Sequence, residues 1–214
     1  MAEQGRLSWK TGAAVAGGLA LPAYYLLFRR WHARCGATDE EVAIAMPGDE
    51  LVERPKDVTT RAVTIRARPE DVWSWLAQMG RDRGGLYSYD WIDEVLGVLD
   101  EPSSDVILPE FQTLEAGDVI PIGGGPDWPV AAAEPNRSLV LDIRPEEGMA
   151  ISWSFQLREL DDEHTRLVLR IRIRASALVH LAYALPVVDF GSFIMTRKML
   201  LGIKERAEAH AASR

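Results

Sequence analysis

The residues best suited to chemistry stand in one short run, Gly84-Gly85-Leu86-Tyr87-Ser88-Tyr89-Asp90. Two phenols and a carboxylate at a helix start can line a pocket mouth, orient a polar head group or handle a proton. The paired glycines ahead of them permit close backbone approach. A structural reading stands beside this one. Ser88 would cap the helix, Asp90 would meet its dipole, and the tyrosines would pack with a polar tip exposed. The sequence pairs no base or nucleophile with these groups, so no catalytic residue is assigned. Tyr87, Tyr89 and Asp90 are taken as ligand-binding candidates.

Other chemistries find little support. His32, His164, His180 and His210 are far apart, with neither HExxH nor HxH spacing, so no metal is expected. There is no G-x-S-x-G elbow, and Gly123–Gly125 lacks the Lys-Ser/Thr of a phosphate loop, reading instead as a hairpin loop. No cofactor is expected. The single cysteine, Cys35, excludes an intramolecular disulfide and a cysteine-built zinc site. Net charge is −8, unevenly spread. Through Arg34 five Lys/Arg face one acid, whereas the remainder holds 19 Lys/Arg against 31 Asp/Glu. An acidic body argues against nucleic acid as a partner.

The elements that must position these residues follow from periodicity. Thr60–Ala67 alternates as a strand, and Pro69 opens a helix whose Val72, Trp75, Leu76 and Met79 share one face. Ser88 precedes a second short helix, from Tyr89 to about Leu96. Strand signals then cluster at 118–122, 129–134 and 138–143. Ala150–Leu157 sets Ile151, Trp153, Phe155 and Leu157 against polar neighbours. Thr165–Ala175 sets Leu167, Leu169, Ile171 and Ile173 against Arg166, Arg170, Arg172 and Arg174. Such alternation predicts an antiparallel sheet with one wet face, on which the arginines form a solvated stripe. A last helix, from about Asp189 to His210, carries Phe193, Thr196, Leu200, Ile203 and Ala207 as its apolar stripe and covers the sheet. The apolar stretch 175–188 reads as a final strand, a short buried helix or a membrane-touching surface.

With 214 residues there is room for one domain and an appendage. The appendage is 1–34, where the uncharged run Thr11–Phe28 would span ~27 Å as a helix, just short of a ~30 Å hydrocarbon core. Trp9 lies at one end and Tyr24, Tyr25 and Trp31 at the other, as interfacial aromatics do. An uncleaved membrane anchor is the expected reading, with a signal peptide or an ordinary helix as alternatives. Arg29, Arg30 and Arg34 favour a body on the cytoplasmic side of the cell membrane. Residues 35–58 read as a polar tether and 59–214 as the folded domain.

The words TRAVTIRARPEDVW, WLAQMGRDRGGLYSYDW, SWSFQL and FIMTRKMLLGIKERAE, in this order of elements, resemble the START-like (SRPBCC) superfamily of polyketide cyclase-like and lipid-transfer proteins. WHARCGATDEE and MPGDELV further resemble an uncharacterised bacterial, membrane-anchored subgroup. The resemblance covers roughly Trp31 to Glu208. It implies an α+β helix-grip fold, a curved antiparallel sheet around a long C-terminal helix, with an internal hydrophobic pocket. Thr196 departs from the pattern, where an acid is expected before Arg197. On this footing Trp75, Met79, Trp153, Phe155, Phe193 and Met199 join the ligand-binding candidates.

Three functions follow as expectations. The first is a membrane-tethered module that holds or transfers a hydrophobic small molecule or lipid. The second is a cyclase or aromatase-like enzyme using the same pocket. The third is a scaffold domain whose pocket is filled by side chains.

Overall fold

The computed structural model describes residues 24–145, 148–183 and 185–214. The chain divides into two compact units, Met1–Ala33 and Arg34–Arg214. In the first, a π-helical turn, Tyr24–Phe28, precedes the short helix α1, Arg29–His32. The expected anchor lies outside the described residues except for those five. Among the described residues no helix is long and apolar enough to cross a membrane.

The second unit is built on six strands: β1 (Asp57–Ile65), β2 (Val119–Ile120), β3 (Trp128–Glu134), β4 (Ser138–Ile143), β5 (Ala150–Asp161) and β6 (His164–Arg174). They form one sheet in the order β1-β6-β5-β4-β3-β2, with every neighbouring pair antiparallel. Helices α2 (Asp39–Ala43), α3 (Pro69–Ala77), α4 (Asp90–Val95), α5 (Ala177–Tyr183) and α6 (Pro186–Ala212) complete the unit.

Strict alternation fixes which face is covered, because a one-residue slip would turn every side chain over. Phe155 pairs with Leu169 and with Leu139, and Leu157 pairs with Leu167, all on the inner face. That face packs against α3 and α6. In α6 Phe193, Thr196, Met199, Leu200, Ile203 and Ala207 are buried, the spacing of one helical stripe. The helix runs alongside β1 in the same direction. Arg61 sits over the Phe193 ring at 5.4 Å, Lys204 Nζ donates to the Thr64 carbonyl, and Glu208 accepts the Arg66 N–H at 2.7 Å. The first turns of α6 therefore lie at the end of the sheet where β1 begins.

The outer face departs from expectation. Of the arginine stripe only Arg174 stays exposed, and residues 35–56 are not a loose lead-in. Arg166 binds the Glu41 carboxylate and the Gly36 carbonyl, while Arg170 reaches the Glu41, Val42 and Ile44 carbonyls and Asp49. Arg172 donates to the Val52 carbonyl and Arg174 to that of Glu53. Met46 joins Ala62 and Val168 in a small second core on this side. Irregular backbone offers carbonyls that guanidinium forks can satisfy, so a largely polar sheet face was covered with only a small apolar contact. Arg170 is buried as a result. Helix α2 is held by a full capping box between Thr38 and Glu41.

Candidate functional site

Tyr87 is the pivot of the GGLYSYD run, and its neighbours are all protein. Its backbone lies in the left-handed region, at φ 58°, which is uncommon outside glycine. The hydroxyl donates to the Trp75 carbonyl at 3.0 Å, and the two rings meet edge to face at 5.8 Å. The Tyr87 N–H donates to Ser103 Oγ at 2.9 Å, and Ser103 Oγ donates in turn to Asp90 Oδ1 at 2.7 Å. Arg206 of α6 covers the phenol ring at 5.1 Å, while donating to the Ser104 carbonyl and pairing with Asp105. Burial pushes the phenol well above its ordinary range; the Gln78 side chain and the Arg206 and Arg83 cations offset part of this. The phenol therefore stays protonated near neutral pH.

The glycines before it serve this packing. A Cβ on Gly84 would stand 2.5 Å from the Tyr87 hydroxyl, and one on Gly85 would stand 2.6 Å from Ser103 Oγ. The close approach expected of the pair is made, to Tyr87 and Ser103. Ser88 does not cap α4, whose N-cap is Tyr89; its hydroxyl bonds the Asp93 carboxylate instead. Burial, aided by the nearby Asp90 charge, raises the Asp93 carboxyl above the usual carboxylate range, against the pull of that hydroxyl.

Beside this cluster lies a surface groove of about 640 Å³, lined by Trp75, Asp90, Lys198, Arg206 and His210 among others. The Trp75 indole Nε1 is buried with no hydrogen-bond partner among the described residues. A second groove of about 550 Å³, lined by Arg66, Asp71, Glu208 and Arg214, flanks the C-terminal end of α6. Both are mixed-charge surfaces. Among the described residues no group of histidines, cysteines and carboxylates could hold a metal ion.

The apolar surface lies at the other end of the sheet. At the deep end Phe155, Leu157, Leu167 and Leu169 are buried under α3 and α6. At the shallow end, where α6 starts, Ile151, Trp153 and Ile173 are only half-buried. Trp153 packs on Trp128 at 4.6 Å, and Ile151 faces Ile173 across the strands. Phe193 is buried on Arg61 and near Phe190, 5.9 Å between rings.

The nine ligand-binding candidates thus separate. Trp75, Met79, Tyr87, Phe155 and Met199 belong to the main core, with Trp153 packed against it. Tyr89 is exposed, and Asp90 is half-buried and bound to Ser103. Trp153 and Phe193 stand toward the shallow end. Trp128, Ile151, Ile173 and Phe190 were missed there. The alternation of β5 and β6 already marked the two isoleucines as inward, whereas Trp128 was hidden in the GGGPDWP loop. Thr196, where an acid was expected, is buried and donates to the Ser192 carbonyl at 2.7 Å.

An antiparallel sheet closed on one face by a long C-terminal helix is an α+β, helix-grip architecture. Solved structures align with it to differing degrees. The Helicobacter pylori hypothetical protein jhp0584 matches at 11% identity over 77% of this chain and 96% of its own, with a TM-score of 0.50. CalU16 from Micromonospora echinospora aligns at 20% identity over 72% of this chain and 86% of its own, TM-score 0.36. A norcoclaurine synthase point mutant from Thalictrum aligns at 11% identity over 72% and 95%, TM-score 0.43. Only the first of these bears on the fold, and on the fold alone. No protein-family model matches the sequence, and no curated protein matches it.

Proposed function

We propose that this chain is a membrane-tethered binding module that holds an apolar small molecule or lipid against the shallow end of its sheet. One observation carries the reading. On β5 and β6 the inner face is apolar along its length, yet α6 and α3 bury only the Phe155–Leu169 end and leave Ile151, Trp153 and Ile173 half-covered. An apolar surface with few polar groups suits a hydrophobic ligand. The membrane anchor of this reading is the uncharged run 11–28, and the Arg29, Arg30 and Arg34 cluster favours a cytoplasmic body.

Native mass spectrometry of the full chain released from lipid nanodiscs tests the binding. A retained apolar molecule, recovered with its mass unchanged, supports it. A body that emerges empty and takes up no fluorescent fatty acid overturns it, and a ligand that leaves chemically altered points to the cyclase-like alternative. A topology reporter fused after Arg214 tests the tether and its orientation; a periplasmic signal would overturn the cytoplasmic placement.

A further inference from the structure

Between Arg174 and Asp189 the chain carries no formal charge other than the titratable His180. The structure turns this stretch outward. Leu178 is 78% exposed, Val187 77% and Leu181 64%, with Leu185, Val188 and Phe190 exposed beside them. Leu178 and Leu181 sit three residues apart on α5, and Val187 and Phe190 sit three apart on the first turn of α6, so each pair shares one helix face. Scattered exposed apolar residues are ordinary, but Leu178, Leu181, Leu185, Val187 and Val188, five within eleven residues, form a continuous exposed apolar surface.

We propose that α5 and the first turn of α6 lie in a lipid interface, with Leu178, Leu181, Leu185, Val187 and Val188 among the acyl chains. Two features favour lipid over protein as the occupant. Exposed Arg54, Lys56 and Arg174 stand at the same sheet end, interspersed with Glu53 and Asp57. The Lys56 N–H bonds the Ile173 carbonyl, on the strand that leads into α5. Cations beside an apolar face suit anionic headgroups. The second feature rests on the tethered reading: only five residues separate Phe28 from Arg34, at most ~20 Å of chain. A body so held has a bilayer as its nearest neighbour. The same end of the sheet bears the half-buried Ile151, Trp153 and Ile173, so insertion would present the apolar site directly to lipid.

The test uses the full chain with Cys35→Ser and one new cysteine at Leu178, Leu181 or Val187, labelled with an environment-sensitive fluorophore. Control labels go on exposed Val95 or Leu160, away from this end. The chain is bound to vesicles of phosphatidylcholine and phosphatidylglycerol in equal parts. The three test labels should shift to the blue and lose most of their emission to lipids carrying a doxyl group in the acyl chain, while the controls stay water-like. Test labels that remain water-like on vesicle-bound chain overturn the proposal and leave the tether standing. A chain that fails to sediment with vesicles overturns both. Blue-shifted labels that acyl-chain doxyl does not quench would show that a second copy covers the surface, and would also overturn it.

Discussion

Arg166 and Glu41 lie 125 residues apart in the chain and meet through two hydrogen bonds, Nε to Oε1 at 2.7 Å and Nη2 to Oε2 at 2.8 Å. Both side chains are largely buried, so the pair fastens the 35–56 segment to the outer face of the sheet. A bidentate pair of this kind is costly to break from one side, because the partner charge stays behind without compensation. Glu41→Gln keeps the shape and removes the charge. Its expected cost is about 2–3 kcal/mol, read as a lower urea midpoint with an unchanged slope. A midpoint equal to that of the parent would show that the segment contributes nothing to the fold.

The same pair sets a pH dependence. The Arg166 hydrogen bond holds the Glu41 carboxyl below its ordinary range; desolvation opposes this, and the Thr38 N–H and the Arg166 charge add to it. A depressed carboxyl stabilises the folded state above its unfolded pKa, about 4.3, and that contribution is lost as pH falls through the folded value. The gap between parent and Glu41→Gln should be constant above about pH 5 and narrow below ~4.3. Paired urea titrations across that window measure it. A gap that holds its size down to about pH 3 would remove Glu41 from the account.

Gly202 lies where α6 passes the Tyr87 loop, and a Cβ there would stand 2.2 Å from the Tyr87 carbonyl oxygen. Helix propensity alone favours alanine by about 1 kcal/mol. Overpacking against backbone costs about 1–3 kcal/mol and wins, because the contacted atom cannot swing aside. Gly202→Ala should therefore lower the melting temperature. A rise would mean that the loop yields freely and that the tight approach has no structural weight.

Tyr87→Phe separates the two readings of the GGLYSYD run. Losing the hydroxyl leaves the Trp75 carbonyl without that donor and should cost about 1 kcal/mol, with ligand retention unchanged. Thermal denaturation and native mass spectrometry of the same preparation check both halves. Loss of ligand at full stability would return Tyr87 to the binding surface.

These two positions show what the sequence could and could not convey. Strands β5 and β6 and helix α6 were legible because apolar residues recur with period 2 and along a helical stripe, and burial follows period. The cover over the outer face was not. Arg166, Arg170 and Arg172 look alike whether water or backbone carbonyls satisfy them, and residues 35–56 carry no period to betray their packing. Tyr87 was singled out for its chemistry, yet its positive φ and its bonds to the Trp75 carbonyl of α3 and to Ser103 depend on tertiary packing. Ser88 was taken for the cap on residue type, and one residue of register sent its hydroxyl to Asp93.

Trp153 and Phe155 point to the same face of β5, two residues apart, and should behave differently. Phe155 is fully buried between Leu139 and Leu169, so its loss is a core defect. Trp153 is half-buried against Trp128 at the end that α6 leaves open. Phe155→Leu should cost about 1–3 kcal/mol of stability and leave affinity for a fluorescent fatty acid within about twofold. Trp153→Ala should cost less stability than a buried tryptophan would, and should weaken that affinity about tenfold or more, equivalent to ~1.4 kcal/mol. Equilibrium titration of both variants beside urea denaturation gives the four numbers needed. If Phe155→Leu is the variant that loses ligand, the molecule enters the deep end and the core opens to admit it. If neither does, the shallow apolar surface is not a ligand site, and what covers it is the bilayer or nothing.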